Sequence, residues 1–285
     1  MTSSPIICSA RTAAHVARLK ERGLPQTVLI LGPESVGKTA LAREFVAGMP
    51  GAQLIPLVAG EDPKTGTPRA AIPVETIREL RSLFAISHGT PLVFIIERAQ
   101  ELYGASSNAL LKIMEEPNAN LHFIILARSL DTVLPTIQSR AAHLLMTPVS
   151  GALLAVGLRA RGIEEALVGP AVLFAEGAPG RAIKFCEDAT FRARVQSEHA
   201  RFVSLLKTRK MADAELLLAD LFGKKDRHVE ARAEIAEMLG WWLAWLRRDT
   251  PQHKVIAKIA ETIPLLFENM HPRLLMERIV IELHS

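Results

Sequence analysis

The octapeptide GPESVGKT, Gly32 to Thr39, most constrains how this chain can fold, and it directly follows the apolar run TVLIL. It fits the phosphate-binding pattern G-x-x-x-x-G-K-[ST] at every fixed position. Such a loop needs a buried strand before it and a helix after it. TVLIL is bounded by Pro25 and Gly32, as a buried parallel strand is. The sequence therefore predicts an α/β domain with a phosphate-binding loop.

Each fixed position of this loop has a chemical task. Gly32 and Gly37 let the backbone curl so that amide N–H groups face phosphate. Lys38 would pair with the β and γ phosphates of ATP or ADP, and Thr39 would ligate the accompanying Mg²⁺. Two alternatives stay open: a chance match, and a relic loop that no longer binds nucleotide.

Apolar strands alternate with helical patterns through the first half of the chain. We predict strands at 27–31, 54–59, 92–96, 122–127 and 143–146, with helices at 38–48 and 74–87 between them. This alternation is typical of a doubly wound parallel sheet, which binds ligands at the carboxyl ends of its strands. The phosphate loop, Glu97 and Arg128 all follow such strand ends.

The strand pattern stops after Pro148, and the rest of the chain reads as helical. Short helices broken at Gly162, at Gly169–Pro170 and at 177–180 are predicted for 151–190. Longer helices fill 191–285. We therefore expect an α/β domain at 1–150, a small helical domain at 151–190 and an all-α domain at 191–285. The tryptophans Trp241, Trp242 and Trp245 form an apolar stripe, either as core or as a subunit interface.

Composition restricts the class of protein. Hydrophobic residues make up 49% of the 285, but no apolar run approaches the length of about 18 residues that spans a bilayer. The N-terminus is too polar for a signal peptide, so we expect a soluble cytoplasmic protein with no membrane partner. The net charge of +4 is compatible with a nucleic-acid partner. Cys8 and Cys186 are far apart, which predicts reduced thiols and no zinc.

The strand LVFII ends in Glu97-Arg98, where a P-loop ATPase usually carries Asp-Glu. Glu97 has the charge to reach Mg²⁺, although it is one methylene too long. Arg98 cannot accept a proton or polarise a water molecule. Glu101 is an alternative acid, but it lies one helical turn further on. The sequence therefore predicts a nucleotide site that does not hydrolyse ATP.

The segment 106–140, SSNALLKIMEEPNANLHFIILARSLDTVLPTIQSR, resembles the clamp-loader branch of the AAA+ ATPases, which runs N-A-L-L-K-x-x-E-E-P, a strand, and a helix ending S-R-C. Only the final Cys differs, being Ala141. The matching residues are Asn108, Ala109, Leu110, Leu111, Lys112, Glu115, Glu116, Pro117, Ser139 and Arg140. By motif the resemblance covers roughly residues 25 to 185.

Within that branch the chain is similar to the δ′ (delta-prime) subunits of the bacterial DNA polymerase III clamp loader. Gly180 stands where motor subunits have a sensor arginine, and Arg181 comes one residue too late. Arg128 replaces the threonine of the third-strand sensor. Many relatives carry a four-cysteine zinc module, but no Cys occurs from 9 to 185. The resemblance therefore implies a subunit that does not hydrolyse ATP and binds no zinc.

The resemblance also implies an assembly. It makes 151–190 a helical lid and 191–285 a helical collar for oligomerisation. The partners would be the γ/τ motor and δ subunits, the sliding clamp and primer-template DNA. Arg140, with Ser139, would act in trans on a neighbour's ATP, while ATP or ADP at 32–39 would be passive and Mg²⁺ would come only with nucleotide.

Rival interpretations stay open at this point. The chain could be a catalytically active AAA+ ATPase, either a clamp-loader motor or a DNA-remodelling motor, or a free-standing P-loop kinase or switch. Lys112 could be a surface lysine or a DNA contact, and Arg140 could simply cap the preceding helix.

Overall fold

The chain divides into two compact units, Met1–Ala182 and Ile183–Ser285. The computed structural model describes residues 6–61, 69–86, 90–116, 120–208, 210–221, 228–249, 253–268 and 270–284. Pro117, which matches the clamp-loader pattern, and Ser87, the predicted end of the helix 74–87, lie outside these ranges. The three-domain division at 150 and 190 stays a prediction.

The first unit contains a five-stranded, all-parallel sheet in the order β2-β3-β4-β1-β5. The strands are β1 (Thr27–Leu31), β2 (Gln53–Pro56), β3 (Leu92–Ile96), β4 (Leu121–Ala127) and β5 (Ala142–Leu145). The predicted doubly wound sheet is confirmed. Leu31 at the end of β1 pairs in register with Ala127 of β4 and Leu145 of β5. The loops that follow these three strands therefore emerge at the same edge of the sheet.

Burial explains which strands were easy to predict. Every residue of β1, β3 and β4 is buried, because helices cover both faces of a parallel sheet. The edge strand β2 is only partly buried and ends at Pro56, whereas the prediction extended it to residue 59. Proline lacks the N–H that would continue the ladder, so it belongs at an edge.

Helices pack on both faces of the sheet in two apolar clusters. Phe94 and Phe123 stack at 5.6 Å in one cluster, together with Ile77 of α3 and Leu110 of α4. The helices of this domain are α1 (Ala10–Arg22), α2 (Lys38–Ala47), α3 (Val74–Ile86), α4 (Ala105–Met114) and α5 (Pro135–Gln138). Leu41 of α2 belongs to the cluster on the opposite face. Each face of the sheet thus has its own core.

The small helices after the sheet are α6 (Gly151–Ala160), α7 (Glu165–Ala175) and α8 (Pro179–Glu187). The predicted break at Gly169–Pro170 is wrong, because α7 runs through both residues. A residue before proline normally avoids helix because its Cβ meets the proline ring. Gly169 has no Cβ, so the helix continues with the loss of one internal hydrogen bond.

The second unit contains α9 (Ala189–Lys207), α10 (Met211–Leu218), α11 (His228–Asp249), α12 (His253–Leu265) and α13 (Pro272–His284). Trp241, Trp242 and Trp245 are all buried within this unit. Phe202 of α9 lies 5.2 Å from Trp242 and 5.7 Å from Trp245 between ring centroids. The tryptophan stripe is therefore core. None of the described helices is both long enough and apolar enough to cross a membrane.

Candidate functional site

The phosphate-binding loop lies between β1 and α2, as its pattern predicts. Gly32 has φ +150° and Gly37 has φ +105°, conformations that side chains rarely adopt. A Cβ at Gly32 would also overlap the carbonyl oxygen of Met146. The N–H of Gly32 donates to Ala127 O over 3.1 Å. The loop is thus packed against the ends of β4 and β5, and glycine is required at both positions.

Lys38 is bonded to its own loop. Its Nζ donates to the carbonyl oxygens of Gly32 and Pro33, each at 2.6 Å. Partial burial lowers the pKa of Lys38; Glu34 opposes this shift and Arg128 adds to it. The ammonium group is therefore occupied by carbonyl oxygens in this arrangement.

Arg128 follows β4 and forms an ion pair with Glu34 of the loop. Both side chains are exposed, with 67% and 65% of their surface accessible, so the pair contributes at most about 1 kcal/mol to stability. The residue that follows β4 thus contacts the phosphate loop directly. Sequence reasoning singled out Arg128 but not its partner.

Strand β3 ends at Ile96, and the acidic residue that follows it, Glu97, is exposed. Arg98 Nε lies 2.6 Å from Glu101 Oε1. The buried Glu101 also accepts from the N–H of Ala59 at 3.3 Å and, through its backbone oxygen, from Ile72 N at 3.0 Å. Glu101 therefore holds the chain at Ala59 and at Ile72. Its carboxylate is committed, which disfavours the alternative that Glu101 replaces the missing water-positioning acid.

Helix α8 contacts the phosphate loop through Gly180. Its N–H donates to Ser35 O over 2.7 Å. Gly180 lies in the first turn of α8, where amides have no partner inside the helix. A Cβ at Gly180 would lie 2.9 Å from the same oxygen. Arg181 approaches the lid residues Glu176, at 3.9 Å, and Phe174, 6.0 Å from its ring centroid.

Arg140 lies in the turn between α5 and β5. Its Nη1 donates to Thr136 O at 3.1 Å and to Ser139 Oγ at 3.4 Å. Its Nη2 lies 2.6 Å from Glu115 Oε1 at the end of α4. The bond to Thr136 O is a helix-capping contact, as the rival interpretation of Arg140 expected. The side chain is 40% exposed.

A cavity of about 360 Å³ lies between α3 and α4. Its lining residues are Val74, Ile77, Arg78, Ala105, Asn108, Ala109, Lys112 and Ile113. Leu110, Ile113 and Met114 are core, whereas Lys112 is exposed. Arg78 and Lys112 form no ion pair with any residue that the structure describes. The cavity therefore combines an apolar floor with two cations that no described acidic side chain neutralises.

The two thiols are not arranged for chemistry. Burial raises the pKa of Cys8, with a smaller contribution from Glu44. Burial also raises the pKa of Cys186, more than Arg192 lowers it. Over the described ranges, no three His, Cys, Asp or Glu side chains are grouped as metal ligands. Absence of zinc from the whole chain stays a prediction.

The site therefore fits nucleotide binding and hydrolysis unequally. The glycine conformations fit a phosphate cradle, in which Lys38 and Thr39 would meet phosphate and Mg²⁺. Bound ATP would supply the phosphoanhydride bond that a hydrolytic site cleaves. Arg98, however, supplies no group that orients water, and Ser35 O is bonded to the lid. The loop contacts Arg128, Met146 and Gly180, whereas Glu97 follows β3, which β4 separates from β1.

Comparison with known proteins gives this arrangement a family context. The model of the family described as DNA polymerase III, delta subunit matches residues 56–150. A DNA polymerase III subunit γ/τ of Mycobacterium tuberculosis is 43% identical over 72 residues, and a subunit δ′ of Haemophilus influenzae is 39% identical over 67 residues. Over these segments the chain is similar to clamp-loader subunits of DNA polymerase III.

The sequence similarity to clamp-loader subunits is confined to short segments, whereas the similarity of fold extends over most of the chain. The matched segments cover 25% of this chain and 12% of the γ/τ relative, and 24% of this chain and 20% of the δ′ relative. A crystal structure of a DNA polymerase III γ-subunit-related protein from Thermotoga maritima superposes with a TM-score of 0.50 at 14% identity, covering 96% of this chain and 98% of that one. That superposition concerns the fold alone.

Proposed function

We propose that this chain is a non-hydrolysing subunit of a replicative sliding-clamp loader, and that it presents Arg140 to the ATP site of a neighbouring motor subunit. Its AAA+ domain would serve as a docking scaffold. Nucleotide at its own loop would be passive. The proposed partners are γ/τ-type and δ-type subunits, the sliding clamp and primer-template DNA, in the cytoplasm.

The presence of Arg98 where a water-orienting acid is needed is the observation that carries the non-hydrolysing part of this proposal. A hydrolytic site needs cationic donors aimed at the transferred phosphoryl group and a residue that orients water. Arg98 accepts no proton and is paired with Glu101 at 2.6 Å instead. At position 180 a glycine N–H contacts Ser35 O, so no cationic side chain reaches the phosphate from there. These two features support a structural use of the loop.

The position and chemistry of Arg140 support its action in trans. It lies in the turn before β5, is 40% exposed and is held at two nitrogens. A guanidinium can donate two hydrogen bonds to phosphate oxygens and offset charge that develops in the transition state. Arginines supplied in trans raise phosphoryl-transfer rates by about 10³–10⁵.

The helical unit supports a role in assembly through its exposed apolar side chains. Leu216, Leu274 and Ile281 are 75%, 60% and 61% exposed. A cavity of about 510 Å³ between α10 and α13 is lined mainly by apolar surface. We propose that this surface contributes the contact between subunits.

The test is ATP turnover of complexes reconstituted with the full chain and γ/τ-type and δ-type subunits, with sliding clamp and primed DNA. Arg140→Ala should leave assembly intact and reduce DNA-stimulated turnover at least tenfold. Arg140→Lys should restore little, because an ammonium cannot make the planar two-point contact. Arg159→Ala is the matched control: Arg159 is also exposed and paired with a glutamate, Glu165, at 2.6 Å. Equal turnover with Arg140→Ala and with wild type would refute the trans role.

A further inference from the structure

We propose that Glu115 is a positioning residue that holds the Arg140 guanidinium in place for its action on the neighbouring subunit's nucleotide. This inference rests on the proposed function of Arg140. The juxtaposition of Glu115 Oε1 and Arg140 Nη2 at 2.6 Å is what points to it.

Glu115 supplies a contact that the turn around Arg140 cannot. Nη1 donates its two hydrogen bonds to near neighbours in sequence, Thr136 and Ser139. Glu115 belongs to α4, 25 residues earlier in the sequence. Among the described residues it is the one partner of the guanidinium from another element. Fixing both terminal nitrogens prevents rotation of the planar group, whereas the Nη1 bonds alone leave it free to swing.

The backbone around Glu115 and around Arg140 is held in place by buried and hydrogen-bonded neighbours. The N–H of Glu115 donates to Leu111 O at 3.0 Å, and the preceding Met114 is buried in the sheet core. On the other side, Ile137 is 1% exposed. The Gln138 side chain donates to Leu130 O and Val133 O, each at 2.8 Å. A functional group held within a fraction of an ångström by such supports loses less entropy when it acts.

The geometry leaves donors available for a phosphate. A guanidinium carries five N–H groups, of which the contacts above engage three. The Nε hydrogen and one Nη2 hydrogen have no partner within the described part of the chain. Nε and Nη2 lie on the same side of the planar group, from which an arginine can donate two parallel bonds to phosphate oxygens. Glu115 therefore orients the guanidinium while two of its five N–H groups stay available for phosphate.

A second ion pair shows what an ordinary surface contact looks like here. Arg159 and Glu165 also meet at 2.6 Å, but they are six residues apart in neighbouring helices of the lid and are 52% and 70% exposed. No turn of the sheet domain is held by that pair. Glu165→Ala is therefore a matched control for loss of an exposed glutamate from an arginine.

The experiment measures kcat and KM for DNA-stimulated ATP turnover by the reconstituted complex, with assembly checked by gel filtration. Glu115→Ala should lower kcat about two- to five-fold with KM unchanged, because an exposed pair limits the effect. Glu115→Gln should restore most of the rate, since the amide oxygen still accepts from Nη2. Glu115→Asp, whose carboxylate is one methylene shorter, should behave like Glu115→Ala. Glu165→Ala should match wild type.

The double variant Glu115→Ala/Arg140→Ala separates the possible failures. If Glu115 acts through Arg140, the double variant turns over at the rate of Arg140→Ala alone. If Arg140→Ala itself equals wild type, the proposed function is wrong and the positioning role with it. If Arg140→Ala is impaired but Glu115→Ala is not, only the positioning role is overturned. An equal loss from Glu115→Ala in both Arg140 backgrounds also overturns it.

Discussion

Gly180 and Ser35, 145 residues apart in sequence, are joined by a backbone hydrogen bond of 2.7 Å that connects the first turn of α8 to the phosphate loop. Ser35 adopts φ +60°, an uncommon conformation for a residue with a side chain. The bond satisfies a first-turn amide of α8, which has no acceptor inside its own helix. A motor subunit would place a long cationic side chain at this position. In this chain a backbone N–H, and not a side chain, contacts the phosphate loop.

Gly180→Ala should lower the free energy of unfolding by about 1–3 kcal/mol, because its Cβ would press on Ser35 O at 2.9 Å. Gly240→Ala is the control: that glycine lies inside α11 with open space where a Cβ would go, so alanine should stabilise by about 0.5–1 kcal/mol. Urea denaturation measures the free energy of unfolding of both variants. In Gly180→Ala, the amide hydrogen of residue 180 should also exchange faster than in wild type. Equal stability of the two variants would mean that the lid contact is loose.

The purified chain should show no ATP turnover above background, with or without primed DNA. Missing general-base or water-positioning groups cost about 10²–10⁴ in rate, and Arg98 offers neither. Arg98→Glu alone should not restore turnover, because Arg128 and Gly180 alter the nucleotide sensors as well. Phosphate release is the measurement. Steady release by wild type that Lys38→Ala abolishes would contradict the prediction.

Affinity of the assembled complex for primer-template DNA should depend on the cations of the α3/α4 cavity. Lys112→Ala and Arg78→Ala should each weaken binding and reduce the slope of log K against log salt by about 1, the value for one lost phosphate contact. Arg159→Ala serves as control, because Glu165 already neutralises that arginine. Fluorescence anisotropy over a range of salt gives the slopes. Unchanged slopes in both variants would place the DNA elsewhere.

Both cysteines should react slowly with iodoacetamide at neutral pH. Burial raises the pKa of Cys8 and of Cys186, so the thiolate fraction at pH 7 is smaller than for a free cysteine. The rate should still be rising at a pH where a free thiol has levelled off. Mass spectrometry of the folded chain, compared with the urea-unfolded chain, measures this. Labelling of the folded chain at the unfolded rate would refute it.

The sheet domain was largely predictable because its signals are local. β1, β3 and β4 are continuous apolar runs, and the loop pattern places its glycines without reference to distant residues. Helix α1 was missed although a local signal existed. Ser9 precedes its first residue, and the Ser9 side chain accepts from Thr12 N at 3.2 Å, as an N-cap serine does.

The contacts that give the site its character could not be predicted in the same way. Glu34–Arg128, Ser35–Gly180 and Glu115–Arg140 each join residues that are 25 to 145 positions apart. No periodicity links such pairs, and their side chains or amides meet only after strand order and lid position are set. Sequence reasoning could identify an altered residue at 98, 128 or 180. It could not say what each altered residue would contact.

The close approach of Gly180 to Ser35 also bears on how such a chain can change over generations. An arginine at position 180 would bring a Cβ to within 2.9 Å of Ser35 O. That single substitution must therefore be accompanied by a shift of α8 or of the loop. Without such a shift any residue with a side chain is destabilising there, so the backbone contact itself restricts position 180 to glycine.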